Sequence, residues 1–431
     1  MIRMLLLALT LLLAGALAPT APAAQAADPP AGTIAYVRGQ TAQGTEIRLI
    51  EPDGSDDRLI LSLPDSPVGD VPLLAWRPDA AELAFSSDHE GAASLYAKDI
   101  YIMRPDGSGL RKLTNGPLRS ALAGYPTGTV TVDVILGRGG PAQVFVAGAS
   151  SPQTVTGSQR VTLTVADYGP GVIQGVAGMI GRSRWYGTGV DVQAGQTVHA
   201  GTLLISGAGI ERGADRPVWR SDGSRVGFLV GAGCDEFRSL PAAAPINALG
   251  EPLLAPASGL GFLCAVEWGP TAALADRLLY NEFDSATRGI YLAQEGSADR
   301  GEPLVTYDVF HTLFDLRWLP DGSGFVFALG EWSGGRWASS NLYEYTFSTG
   351  QQRQITSFDD ALALQFSISP DGQWIVFERA PALGEVVDLW LVRRDGSEMR
   401  LLVETAGRPA WSPRAPQAPA SFGVYLPMAL R

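Results

Sequence analysis

The sequence predicts an all-β chain in which six four-stranded repeats close into a ring, a six-bladed β-propeller, with a small β-sandwich inserted between the second and third blades. Three observations carry this expectation. A phrase built on Trp, any residue, then Pro or Ser, commonly completed by Asp-Gly, recurs along the chain. Its copies at Trp219, Trp268, Trp318 and Ile368 are spaced by 49, 50 and 50 residues. The described phrase also opens a repeat everywhere except at Trp411, where it stands alone near the end of the 431 residues.

Composition sets the bounds. Apolar residues make up 46% of the chain and charged residues 18%, with 51 Gly and 30 Pro, which is too apolar for a disordered chain and too rich in glycine for a helical one. The net charge of −12 opposes phosphate backbones and anionic lipid, so no nucleic-acid partner is expected.

At the N-terminus, Arg3 precedes an apolar run from Met4 to Leu17, and small residues lead to Ala24-Gln25-Ala26. This pattern predicts a signal peptide over residues 1–26, cleaved after Ala26, and hence export; the apolar run falls short of the roughly 20 residues that span a bilayer. No later segment is apolar for long enough to span, so no transmembrane segment is expected after cleavage. In an oxidising compartment Cys234 and Cys264 are read as a disulfide, with two buried thiols as the alternative.

Residues 28–116 read as blades one and two. Thr33-Ile34-Ala35-Tyr36-Val37 and the strand before Pro52-Asp53-Gly54 form a blade without a first strand, which the orphan strand at Trp411 completes. The second blade opens at Trp76-Arg77-Pro78-Asp79 and ends at Leu113-Thr114-Asn115. From Trp76 to Trp219 is 143 residues, so about 93 are extra beyond one repeat of roughly 50. Residues 117–211 therefore read as an insert. Its alternating runs at 128–134, 160–165 and 189–192 suit strands with one buried face.

Residues 212–414 carry blades three to six and the closing strand. In each phrase Pro presets φ, Asp bonds backbone amides further along the turn, and Gly accepts positive φ, so these acids are turn residues rather than catalytic carboxylates. The runs that follow, such as Phe325-Val326-Phe327-Ala328 and Trp374-Ile375-Val376-Phe377, are short, aromatic and β-branched. One such unit cannot bury both faces, so copies must stack, and a ring removes the exposed ends. Seven blades is the alternative count. Residues 415–431 form a Pro-rich tail.

The paired phrases Trp-x-Pro-Asp-Gly and Ile-Tyr-x-x-x-x-Asp-Gly, the latter at Ile100 to Gly107, resemble the propeller repeats of the TolB type, also called PD40 or WD40-like. The resemblance covers about 28–116 and 212–414. It implies a six-bladed propeller exported in bacteria. The N-terminal α/β domain of TolB has no counterpart between the expected cleavage site and the first strand, so its partner contacts are not carried over. The insert is similar to carboxypeptidase-regulatory or transthyretin-like sandwiches, with an immunoglobulin-like sandwich as the alternative. The tail, with Val424-Tyr425-Leu426-Pro427, resembles short C-terminal signals of exported proteins.

Chemistry is sparse. No G-x-S-x-G elbow is present, and His89, His199 and His311 have no histidine partner at a ligating spacing, so no cofactor is expected. Loops joining the second and third strands, and loops joining blades, share one face around the channel. They carry the candidate ligand-binding residues: Asp88, His89 and Glu90; Glu282 and Asp284; Tyr307, Asp308 and His311; Glu331, Trp332, Arg336 and Trp337; Asp359 and Asp360. Aromatics among acids suit a sugar, a peptide or a divalent cation, against the plainer alternative of solvated loop side chains. The leading expectation is an exported, non-catalytic binding scaffold whose partner is an exported or envelope protein or a small ligand. The alternatives are an enzyme acting on glycans or peptides at the channel mouth, and a structural envelope component.

Overall fold

The computed structural model describes residues 30–41, 44–63, 72–90, 94–137, 140–231, 236–244, 249–254, 262–283, 288–297 and 301–413. The expected signal peptide, Cys234, Asp284 and the tail lie outside them. The described chain is all-β and of propeller type.

Strands β1 (Ile34–Thr41), β2 (Gly44–Ile50) and β3 (Arg58–Leu63) form the first antiparallel meander. Strands β4 (Leu74–Trp76), β5 (Leu83–Ser87), β6 (Asp99–Met103) and β7 (Arg111–Lys112) make a four-stranded sheet in sequence order. The next seven strands lie within residues 117–211. They are β8 (Thr127–Leu136), β9 (Ala142–Val146), β10 (Gln153–Val155), β11 (Gln159–Ala166), β12 (Ile173–Ile180), β13 (Ser183–Asp191) and β14 (Thr197–Ile205).

Four more meanders follow. The first is β15 (Gly213–Trp219), β16 (Arg225–Gly231), β17 (Glu236–Pro241) and β18 (Glu251–Leu254). The second is β19 (Phe262–Trp268), β20 (Arg277–Phe283), β21 (Arg288–Gln294) and β22 (Val305–Thr306). The third is β23 (His311–Trp318), β24 (Gly324–Ser333), β25 (Arg336–Thr346) and β26 (Gln351–Gln354). The fourth is β27 (Leu362–Ile368), β28 (Trp374–Ala380), β29 (Asp388–Arg393) and β30 (Arg400–Val403), whose only ladder pair with the third is Ser340 with Leu362. Strand β31 (Ala406–Trp411) then returns to β1, placing Trp411 opposite Ile34.

The Pro-Asp-Gly turns behave as their chemistry requires. Between β23 and β24 the Gly322 amide donates to Leu319 O at 2.9 Å, and Asp321 Oδ1 accepts from the Ser323 amide at 2.9 Å. Gly322 sits at φ +75°, where a Cβ would be strained and would also meet Leu274.

Six hydrophobic cores lie between consecutive sheets. The β1–β3 sheet and β4–β7 share Val37, Leu49, Phe85 and Tyr101; β4–β7 and β15–β18 share Ile102, Trp219 and Phe228. Phe237 and Trp268 join the next pair, then Leu279, Trp318 and Phe325, then Val326, Phe366 and Phe377. The last core returns to the first sheet, with Trp374 and Val376 against Ile34, Tyr36 and Trp411.

Tryptophans that end the first strands tie neighbouring sheets together. Trp76 Nε1 donates to Ala410 O at 2.9 Å, Trp219 Nε1 to Ala75 O at 3.1 Å, and Trp318 Nε1 to Glu267 O at 3.4 Å. In each case the acceptor precedes the Trp of the adjacent sheet.

Strands β8 to β14 form two sheets, ordered β10-β9-β12-β13 and β11-β8-β14, around one core that includes Val132, Val144, Leu163, Val176 and Leu203. Strand β14 runs parallel to β8. The stretch between β5 and β6 grips this unit: Leu95, like Met179, packs on the cluster of Phe145, Ala147 and Ala177, and the buried Arg184 donates from Nε to Ser94 O at 3.2 Å. Tyr186 adds a hydroxyl bond to Leu95 O at 3.1 Å.

Strand β31 contributes to two of the six cores and covers the edge of β1. A chain ending at Glu404 is expected to lose its cooperative urea transition, whereas Trp76→Phe, which deletes one indole donor, should cost about 1 kcal/mol. A shortened chain that unfolds cooperatively at the parent midpoint would contradict this role.

Candidate functional site

The residues expected at the loop face fall into separate groups. In the β4–β7 sheet, Asp88 and His89 are largely buried. His89 lies 4.4 Å from the Tyr101 ring and meets Ser87 Oγ at 2.9 Å through Nδ1. Burial lowers its pKa to about 4; Asp99 opposes that shift and Lys112 adds to it, so the imidazole is neutral at physiological pH. Glu90 faces the buried Lys112 ammonium at 3.5 Å and accepts from the Arg119 amide.

Beneath them lies a polar knot that the sequence reading passed over. Asp99 Oδ1 accepts from Ser94 Oγ, Thr114 Oγ1 and Asn115 Nδ2 at 3.0, 2.6 and 2.7 Å. The same position in later sheets does similar work: Asn341 Oδ1 accepts from Thr356 Oγ1 and the Phe358 amide, and Asp388 Oδ1 from the Thr405 amide. The recurrence makes this a device for fastening the fourth strand to the third.

Glu282 is buried, Tyr307 is half-buried, and burial pushes the Tyr307 phenol up to about 12. Asp308 accepts from His311 Nδ1 at 2.6 Å, and that bond holds its carboxyl below the usual range. Glu331, Arg336, Asp359 and Asp360 are exposed. Trp332 and Trp337 do meet, edge to face at 5.0 Å across the β24–β25 hairpin, and Trp337 reaches Phe314 at 5.8 Å. The Trp332 amide also donates to Phe310 O, which brings the β22–β23 loop alongside. Phe310 (58% exposed), Val309 and Trp332, with Leu383 and Val386 of the β28–β29 loop, leave apolar side chains facing solvent. Among the described residues no three His, Cys, Asp or Glu side chains group as a metal site. Cys264 is disulfide-bonded.

At the other end of the first strands is a cavity of about 470 Å³. Trp76, Trp219, Trp268, Trp318, Ile368 and Trp411 wall it, one from each sheet, and Pro78, Ser221, Pro270, Pro320, Pro370 and Pro413 form its rim. Glu267 and Arg317 supply its charge and are ion-paired.

Beyond this ion pair the polar layer continues. Arg317 Nη2 is 3.2 Å from the buried Asp315, which also meets Arg216 Nη1 at 3.2 Å. The Gln365 amide oxygen accepts from Arg216 Nη2 at 2.9 Å and Arg408 Nη1 at 3.2 Å. Arg408 closes the set, its amide donating to Glu378 Oε1 at 2.7 Å. Both Arg216 (φ +51°) and Arg408 (φ +55°) occupy the left-handed region at bulges of their strands, which costs each about 1 to 3 kcal/mol.

The sequence held signals for these residues. Glu267 and Arg317 each precede the Trp of consecutive repeats, two opposite charges at one repeat position 50 residues apart, and Arg-Pro-x-Trp occurs at both 216–219 and 408–411.

Burial is the largest influence on Glu267 and raises its pKa from 4.5 to about 7, with Asp315 reinforcing the shift and Arg317 and Arg216 opposing it. The folded protein therefore holds a proton that the unfolded chain releases between about pH 4.5 and 7, so this group's stabilisation fades as pH rises through that window. Glu267→Gln should flatten the fall in stability over this window, as read by urea unfolding from pH 4 to 8. An unchanged slope would show that Glu267 titrates normally.

No family model matches the chain, and no curated protein does. Among solved structures, TolB from Acinetobacter baumannii is similar over 89% of this chain and 67% of its own, at 16% identity and a TM-score of 0.48. The nidogen/laminin complex aligns over 88% and 98% at 8% identity and a TM-score of 0.46. The S511A mutant of puromycin hydrolase, complexed with PGG, aligns over 87% of this chain and 52% of its own at 12% identity and a TM-score of 0.44.

Proposed function

We propose that the chain is an exported, non-catalytic binding scaffold that presents a rigid contact face. The six four-stranded sheets are its blades, the β1–β3 sheet is completed by β31, and residues 117–211 are a β-sandwich inserted between blades two and three. Six cores in cyclic order support this ring. Cleavage after Ala26 and a Cys234–Cys264 disulfide belong to the same reading, which places the protein outside the cytoplasm. Among the described residues no helix is long and apolar enough to cross a membrane.

The observation that carries the function is the way the insert is held. Arg184, Tyr186 and the Phe145 cluster fix it to the stretch carrying Ser94 and Leu95, so it projects as a second rigid module. The insert enters and leaves through a blade-joining connection. Val309 and Phe310 lie on another such connection, so their apolar side chains and Trp332 open on the same face. Exposed apolar clusters of this kind mark interaction surfaces, and the partner is another exported or envelope protein.

The test is capture from the envelope and medium of the producing cells. Replacing residues 118–210 by a short glycine linker should leave a folded protein that no longer retains the partner taken by the intact chain. Phe310→Ser with Trp332→Ser should reduce retention at least fivefold. Undiminished capture by both variants, or turnover of a glycan or peptide with a stoichiometric divalent ion, would overturn the proposal in favour of the enzyme alternative.

A further inference from the structure

The cavity ringed by tryptophan and proline departs from its own symmetry at one junction. By the pattern of its neighbours, Trp268 Nε1 should donate to Val218 O. Instead the indole is turned edge-on to Phe237 at 5.3 Å, and its N–H, on a side chain only 3% exposed, has no acceptor among the described residues. On the adjoining sheet the rim position held by Pro in the other five repeats is Ser221, whose buried Oγ is also without a partner. Beside the Glu267–Arg317 pair, the cavity wall therefore carries two unused and shielded donors, each costly to leave unmade. Apolar aromatic walls with an indole N–H free for a carbonyl are the means by which proteins hold polyproline helices, whose carbonyls are fully exposed.

The chain supplies such a segment at the rim itself. Pro413 lines the cavity and is followed by Arg-Ala-Pro-Gln-Ala-Pro, so Pro413, Pro416 and Pro419 recur every three residues. That is the period of a polyproline helix, and it sets all three rings on one face. Six residues beyond Pro413 reach about 19 Å in this form, more than the roughly 10 Å width of a compact 470 Å³ cavity. The sheet bearing Pro413 lies across the ring from the Ser221–Trp268 junction, so a segment crossing the mouth arrives at the two donors.

We propose that the cavity is the docking site of the chain's own residues 414–419, whose prolines pack on the Trp-Pro ring, while the Trp268 and Ser221 side chains, whose donors are shielded in the empty cavity, turn to donate to their carbonyls. This site is separate from the contact face proposed above and stands or falls independently of it.

A protein ending at Pro413 and the full chain are compared for binding of a fluorescein-labelled peptide of residues 413–421 by anisotropy. The shortened protein should bind at least tenfold more tightly, because in the full chain the tethered segment competes. A peptide with Pro416 and Pro419 replaced by Ala should bind at least tenfold more weakly. In the shortened protein Ser221→Pro, which completes the proline ring, and Trp268→Phe should each weaken binding severalfold. Equal affinity for both chain lengths would assign the cavity to another molecule's proline-rich segment and overturn self-docking. So would absence of binding by a shortened protein of parental Tm, or indifference to both substitutions.

Discussion

Each of the six four-stranded sheets outside β8 to β14 buries side chains on both faces, and none can satisfy both alone. In β24, Phe325 and Phe327 serve one core while Val326 and Ala328 serve the next, the alternation of a strand spent on two neighbours. This constraint fixes the rest: sheets must stand side by side, their first strands must gather, and whatever lines the gathering line is set by repeat position. The indole bonds from Trp76, Trp219 and Trp318 are the polar expression of that contact, each crossing from one sheet to the next.

Where the first strands meet, apolar packing gives way to ion pairs. Arg216, Arg317 and Arg408 interleave with Asp315, Glu267 and Glu378, so each of these charges faces its opposite. Removing one member would leave a partner uncompensated in a half-buried site, which is why such layers are costly to break even where they add little to stability. The left-handed backbone at Arg216 and Arg408 is the strain accepted to aim both side chains at Gln365.

Much of the architecture was legible because it is written locally. Trp-x-Pro-Asp-Gly specifies a turn whatever surrounds it, and its spacing of about 50 residues reports the repeat. The alternating runs expected at 128–134 and 160–165 lie within β8 and β11. The site was less legible, because burial is decided by distant partners. Asp88-His89-Glu90 looks like an exposed acidic loop, yet His89 rests on Tyr101 and Glu90 on Lys112, contacts that no local pattern announces. The tryptophans announce only where each repeat opens; that they wall a cavity depends on neighbours distant in chain, as Ala75 is from Trp219.

The bond from Trp411 Nε1 to Ala31 O joins residues 380 positions apart. During synthesis β1 emerges early and must wait for almost the whole chain before its second neighbour, β31, exists. Until then one face of the first sheet and one face of the last stay open, so a growing chain can hold five of the shared cores but not the sixth. Completion is a late, long-range event with a high loop-closure cost, and the interval before it is when an unpaired β1 edge is exposed to other chains. The order in which the termini appear thus sets the period in which this protein most needs shielding.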